Sequence, residues 1–471
     1  MLRSPWAKGL TIAAAAIGLT VGPLIATGSP APKISPVQYI QSQAAKPYMG
    51  WSSWSLQSTN YPGLNPRGSF SWLTENHVLQ QADVMASTLR AHGYTYINID
   101  AGWWRAWDWT PHYDRHGRPA VDRQRFPDGI AYVGNYVHRK GLKLGIYMPV
   151  GMEKGAYDEG DFPIAGTANC STHDIVYRDL RTTNAWDSSY KIDFSQPCAQ
   201  SYYDSIAAMF ARWGVDFLKL DGVGPGSEKT GSRYDNRADV RAWAIALAKT
   251  HRPIQLVISW SIKQWAMPTW QAYTNGWRID VDVECYCDTL VRWEGGINNV
   301  RQRFTDVLPW ISEAGPGGWN NLDSLDVGNG RMDGLTRAER QSYMTFWAIE
   351  AAPLYSGDDL TRLDPYGIEL LTNDEVIAVD QTGIPARPLN GKSLHQVWYA
   401  INSDGSYTVA LFNLRAAPAT VGVSWQALGF AGPARVRDLW AHTGLGMRST
   451  GFTSRLPVHG SRLVKVYPQS G

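Results

Sequence analysis

The chain has 471 residues, 44 Lys and Arg against 42 Asp and Glu, and a 44% hydrophobic fraction. That length and apolar content allow two or three domains around a large core, and 45 Gly with 27 Pro exclude collagen-like and disordered classes. The near-zero net charge offers no basic excess for phosphates and argues against a nucleic-acid partner. The 22 tryptophans exceed ordinary usage and point to flat apolar ligands or an unusually aromatic core.

At the N-terminus, Arg3 and Lys8 precede an uncharged apolar run from Leu10 to Ile25, which ends in the small residues Ala26-Thr27-Gly28. This reads as a secretory signal peptide over residues 1–31, with the mature chain secreted and not stably membrane-associated. A transmembrane helix needs roughly 20 apolar residues, more than this run supplies. Removing the leader takes away two positive charges and leaves 42 against 42.

Pro47 to Trp51 reads as a strand, and Glu75 to His92 as a helix with apolar spacing at Val78, Ala82, Met85 and Leu89 and a cap at Thr74. Tyr94 to Asp100 is a second strand, rich in aromatic and β-branched residues. Three further pairs follow: helix 130–139 with strand 142–147, helix 201–213 with strand 215–220, and helix 240–250 with strand 254–260. Repeated strand–helix units predict parallel strands with helices outside. With no nucleotide-type Gly-rich turn after the first strand, the expectation is a (β/α)₈ TIM barrel over 40–384. Beyond Gly383 only short strands remain, with a hairpin signal at Ser403-Asp404-Gly405. A C-terminal antiparallel β-sandwich over 385–471 is expected there.

Cys170 and Cys198 flank a loop-like stretch and read as a structural disulfide in an exported protein, whereas Cys285 and Cys287 stand too close to pair comfortably. Zinc would want more ligands at metal spacing.

The predicted strands end in polar side chains: Asp100, Tyr147, Lys219 with Asp221, Ser259 with Ser261, and Arg278 with Asp282. In a parallel barrel these termini share one face, where active sites are built. Asp221 is followed by the unshielding Gly222, and Lys219, on the same strand face, is placed to keep it ionised as a nucleophile requires. If 277–284 is extended, Asp280, Asp282 and Glu284 share a face, and crowding raises their pKa values as a general acid needs. The competing readings are a cation site of three oxygen ligands or a solvated strand end.

Several runs resemble glycoside hydrolase family 27, the α-galactosidase and α-N-acetylgalactosaminidase family: Met49-Gly50-Trp51-Ser52-Ser53-Trp54, Tyr96 to Trp103, Gly141 to Tyr147, Trp213 to Asp221, Trp277-Arg278 with Asp282, Gly317 to Asp323, and Glu375 to Gln381. They occur in the family's order and spacing over essentially the whole mature chain. The resemblance implies a barrel plus C-terminal β-domain, Asp221 as nucleophile and Asp282 as acid/base. It also implies Asp100, Lys219 and Arg278 as holders of sugar hydroxyls and Trp51 as a wall of the sugar pocket. Tyr147, Trp103 and Ser261 are further candidate substrate contacts. The implied reaction is retaining hydrolysis, with the two carboxyls roughly 5–5.5 Å apart and no metal or cofactor. The substrate is an oligosaccharide or polysaccharide.

Three features depart from the family pattern. Galactosidases usually carry two acids where this chain has Asp100-Ala101, and the loss of one removes a charge-assisted hydrogen bond of about 1.5–3 kcal/mol. Galactose then still binds through Asp100 with neighbours compensating, or a sugar without the C6 hydroxymethyl such as β-L-arabinopyranose is preferred, or O6 is substituted, as in an α-1,6-glucan hydrolase releasing isomaltose. Ser261 stands near where a Glu often lies, and Leu322 replaces a Pro. Trp103, Trp104, Trp107 and Trp109 form either a sugar-stacking platform or loop packing. The reading is a secreted exo-α-glycosidase, α-galactosidase-like; an inactive carbohydrate-binding protein is the alternative from another class.

Overall fold

A computed structural model describes residues 35–469; the expected signal peptide lies outside the described residues. Eight short parallel strands curl in sequential order: β1 (Met49–Ser52), β2 (Tyr96–Ile99), β3 (Lys143–Pro149), β4 (Val215–Asp221), β5 (Gln255–Ile258), β6 (Gly276–Arg278), β7 (Trp319–Asn321) and β8 (Leu354–Ser356). Consecutive strands pair in parallel from β1 to β7, and β8 pairs with β1. The last seam is closed just beyond β7, where Leu325 bridges Ser356 and donates its N–H to Tyr355 O at 2.8 Å. This is the expected TIM-type sheet.

Strand periodicity sets what lies inside it. Tyr48, Tyr96, Phe217 and Tyr355 meet largely edge-to-face, Tyr48 lying 5.1 Å from Phe217 and 5.5 Å from Tyr355, and form a buried aromatic layer. Residues two apart share a strand face, so Lys219 and Asp221 rise above Phe217, and Asn98 and Asp100 rise above Tyr96. Gly145 makes room in β3, since a Cβ there would stand 1.3 Å from Asn98 Oδ1. The aromatic layer thus forms a dry floor, with the polar residues above it at the C-terminal end.

The helix expected over Glu75–His92 is three segments: an α-helix Glu75–Val84 capped by Thr74, a π-turn Met85–Leu89 and a 3₁₀ turn Arg90–His92. Gly93, with φ 101°, ends it in the left-handed region. After β3 a long excursion carries a small three-stranded sheet (Met152–Glu153, Thr182–Thr183, Ser189–Tyr190) and the Cys170–Cys198 disulfide. Cys285 and Cys287, whose state the sequence left open, are also paired. Tyr286 between them takes φ 50°, which brings their Cα atoms to 5.2 Å, inside disulfide range.

The C-terminal unit is built from β9 (His395–Ile401), β10 (Tyr407–Asn413), β11 (Ala419–Ser424), β12 (Ala434–Asp438), β13 (Thr443–Arg448), β14 (Gly451–Leu456) and β15 (Ser461–Pro468). β11 and β14 pair as a separate ribbon over the main sheet β9-β10-β15-β12-β13, which Arg387–Pro388 extends by a short edge. Val397, Val409 and Leu411 face Val421, Val423 and Phe452 between the layers. Trp398 and Phe412, on the opposite face, pack on Phe346 of helix Arg337–Ile349, at 5.1 and 5.8 Å. Both faces of β10 are therefore covered, and all its residues are buried. Among the described residues no helix is long and apolar enough to cross a membrane.

Candidate active site

A cavity of about 550 Å³ opens at the C-terminal ends of the strands, and Asp100, Tyr147, Lys219, Asp221 and Asp282 all line it. Lys219 Nζ donates to Asp100 Oδ2 at 2.8 Å, and the Ala101 N–H donates to Asp100 Oδ1 at 2.8 Å. Asp100 is itself oriented through its own N–H, donated to Ser53 Oγ at 2.9 Å. Lys219 lies 5.6 Å from the centre of the Tyr147 ring. Asp221 Oδ1 accepts the Gly222 N–H at 2.9 Å. Asp282 accepts hydrogen bonds from the Arg278 guanidinium and the Tyr286 hydroxyl, and its carbonyl accepts from Asn298 Nδ2 at 2.8 Å.

The two key carboxyls sit in opposite fields. Burial pushes Asp221 up, and although Lys219 pulls it down, Asp100 and Asp282 add to the rise. Asp282 is raised by burial too, but Arg278, Lys219 and the Tyr286 and Arg278 hydrogen bonds outweigh it and hold it below the usual carboxylate range. Asp282 is not lifted as expected because Arg278 and Lys219 outweigh its acidic neighbours, and β6 ends at Arg278, so residues 280, 282 and 284 do not share one extended face. Asp280 turns away to Arg303, and the elevated acid is Glu284, pushed up to about 8 by burial and by the charges of Asp323 and Asp282. Asp282, Glu284 and Asp323 bring carboxylate oxygens within 4.8 Å of one another. A cation already serves two of them, since Arg278 donates to Asp323 at 2.6 Å and to Asp282. Asp323 also accepts the Val283 N–H at 2.7 Å, so it anchors the segment carrying Asp282.

Four sequence candidates stand elsewhere. Arg278 is buried behind Asp282 and positions it, without lining the cavity. Trp51 is fully buried, donating from Nε1 to Asp358 O at 2.8 Å, and Trp54, three residues on, forms the cavity wall instead. Trp103 is fully buried against Phe210 and Trp213, its Nε1 bound to Tyr147 O at 2.9 Å. Ser261, with φ 42°, uses its carbonyl to accept the Ser227 N–H at 2.8 Å, and Trp260 is the neighbour that reaches the cavity. The tryptophan-rich loop divides evenly: Trp103 and Trp107 pack, Trp107 against the guanidinium groups of Arg67 and Arg125 at 4.5 and 4.3 Å, while Trp104 and Trp109 form cavity wall.

Two aspartates facing one cavity, an aspartate–lysine pair on its floor and aromatic walls suit a cleaved sugar ring. The sequence matches the family profile for α-galactosidase A over residues 46–165 and 174–382, and that for the α-galactosidase C-terminal β-sandwich domain over 392–466. The chain belongs to glycoside hydrolase family 27. It is 31% identical over 433 residues to an α-galactosidase of Cyamopsis tetragonoloba, covering 90% of this chain and 87% of that one. It is 31% identical over 379 residues to human α-galactosidase A, covering 79% and 74%. Among solved structures, a family 27 β-L-arabinopyranosidase from Geobacillus stearothermophilus superposes with a TM-score of 0.80 at 29% identity, covering 92% of this chain and 99% of that one. α-Galactosidase I from Mortierella vinacea gives 0.69 at 25%, covering 91% and 98%.

This family 27 hydrolase carries cavity residues that sequence reasoning did not single out. Glu153 accepts from Trp104 Nε1 at 2.7 Å and pairs with Arg105, and both acid and base line the cavity. Tyr286 reaches Asp282 from between the paired cysteines, and that C-x-C was the one available signal for it. Trp186 comes from the excursion after β3, which has no periodic pattern.

Proposed function

We propose that the protein is a secreted, retaining exo-α-glycosidase acting on terminal α-D-galactosyl residues of oligosaccharides or polysaccharides. The observation that carries this is that Asp221 and Asp282 open into one cavity whose floor is the Asp100–Lys219 pair. Asp100 and Lys219 hold the ring hydroxyls. The Asp221 carboxylate attacks the anomeric carbon while Asp282 gives its proton to the leaving oxygen, so the glycosidic bond breaks as the glycosyl ester forms. Asp282 then takes a proton from water, whose oxygen attacks the same carbon and frees Asp221. The two disulfides fit an exported protein.

The surroundings raise Asp221 and lower Asp282, so a single proton on the pair favours Asp221, the reverse of what the first step uses. Attack therefore requires the singly protonated pair, with its proton passed to Asp282 once a sugar fills the site. The pair titrates as a unit, and activity follows a bell-shaped pH profile.

One observation favours a second sugar. Ala101 lines the cavity where galactosidases usually carry an acid, and Trp109 closes that corner, its ring standing 3.3 Å from where a Cβ on Gly102 would lie. An apolar corner suits β-L-arabinopyranose, which is galactose without its C6 hydroxymethyl. Initial rates on aryl α-D-galactoside, aryl β-L-arabinopyranoside and dextran decide. Faster galactoside hydrolysis supports the leading reading, faster arabinopyranoside hydrolysis the second. Isomaltose from dextran with no galactoside turnover contradicts both, and no hydrolysis of any of the three points to a carbohydrate-binding protein.

A further inference from the structure

We propose that Trp186 and Trp260 form an outer subsite that stacks on the leaving-group pyranose ring, so that the enzyme selects glycosides whose aglycone is itself a sugar. The inference rests on the glycosidase reading and deepens it.

The two indoles lie nearly parallel, 14° between planes and 6.3 Å between centres, and both line the cavity. Their position is fixed relative to the reacting atoms. A Cβ on Gly222, the residue after Asp221, would stand 2.8 Å from the Trp186 ring, so the indole lies directly over the backbone that carries the nucleophile. The depth order then assigns the occupant. Asp100 and Tyr147 are buried at the floor, whereas Trp186 is 50% exposed at the mouth. With the ring to be transferred on the floor and its anomeric carbon at Asp221, the group reaching Trp186 is the one that departs.

The loop that presents Trp186 is built to hold it outward. Asn184 Oδ1 accepts the N–H groups of Trp186 and Ser188 at 2.9 and 3.2 Å, and its amide donates to Ser188 and Ser189 hydroxyls at 3.0 and 2.9 Å. Asp187, next in the chain, accepts from Thr182, Tyr234 and Lys229 at 2.8, 2.7 and 3.0 Å. An exposed indole fixed this firmly loses little conformational freedom when a flat ring covers it. Trp265, 61% exposed, is the other exposed tryptophan among the described residues, and it does not line the cavity.

The test compares a donor whose leaving group has no ring with one whose leaving group is a sugar. Whichever of α-D-galactosyl fluoride and β-L-arabinopyranosyl fluoride the wild-type protein hydrolyses is paired with the disaccharide joining the same sugar to glucose, melibiose in the first case. Trp186→Ala should lower the ratio of kcat/KM for disaccharide to that for fluoride by about tenfold, the scale of one aromatic stack. Trp186→Phe should restore most of it, and Trp265→Ala should leave it where it was. A ratio unchanged in Trp186→Ala, whether both rates fall together or neither does, overturns the subsite, as does an equal change in Trp265→Ala. Wild-type protein that hydrolyses neither fluoride contradicts the galactosyl and arabinopyranosyl readings, and the subsite falls with them.

Discussion

Replacing Glu284 with Gln should stabilise the protein in mild alkali and do little in acid. Glu284 is almost fully buried, its Oε1 accepting Ser55 and Ser324 hydroxyls at 2.8 Å each, while its Oε2 has no partner. Burial, then the charges of Asp323 and Asp282, carry its carboxyl from 4.5 to about 8, against the opposing pull of Arg278. The folded state thus binds this proton more tightly than the unfolded chain does. The stabilisation from that proton is complete below pH 4.5 and is lost as pH rises through 8. At about 1.4 kcal/mol for each tenfold change in proton affinity, the loss is on the order of 5 kcal/mol. Glutamine keeps an oxygen for the two serines and never ionises. Urea unfolding of both proteins at pH 5 and pH 9 measures the effect: near-equal stability at the lower pH, and a variant several kcal/mol more stable at the higher. A variant less stable by the same amount at both pH values would refute the assignment of a neutral Glu284.

Tyr286→Phe removes one of the hydrogen bonds that hold Asp282 down, so the acid limb of the kcat/KM profile, set by the lower-titrating member of the pair, should move to higher pH by about one unit; an unmoved limb would separate Asp282 from that titration. Ala101→Asp returns a carboxylate beside Asp100, and about 1.5–3 kcal/mol of charge-assisted bonding should raise galactoside over arabinopyranoside turnover at least tenfold. Comparison of the two aryl glycosides reads it, and an unchanged ratio would show that C6 recognition does not limit galactose.

Much of the fold was legible because strand–helix alternation repeats, and the acids at strand ends were legible because strand termini converge. Asp100, Tyr147, Lys219 and Asp221 were placed by that logic alone and line the cavity. The logic failed where the backbone leaves the strand. Alternating acids at 280, 282 and 284 suggested one face, but β6 had already ended at Arg278. Trp51 and Trp103 carried a sugar-binding reading from sequence, yet a large apolar ring beside a strand is equally able to enter the core, and both did. Tyr286 and Trp186 reach the cavity from loops whose conformation depends on a disulfide and on side-chain hydrogen bonds, neither of which leaves a periodic trace.

The central claim is that Asp221 forms the glycosyl ester and Asp282 moves the proton. Asp221→Ala, assayed on an activated aryl glycoside of the preferred sugar with and without sodium azide, tests it most directly. The account predicts hydrolysis reduced by about 10⁴-fold or more, with azide restoring turnover and releasing a glycosyl azide of inverted anomeric configuration. Hydrolysis at the parent rate, or a dead variant that azide leaves without any glycosyl azide product, would contradict it.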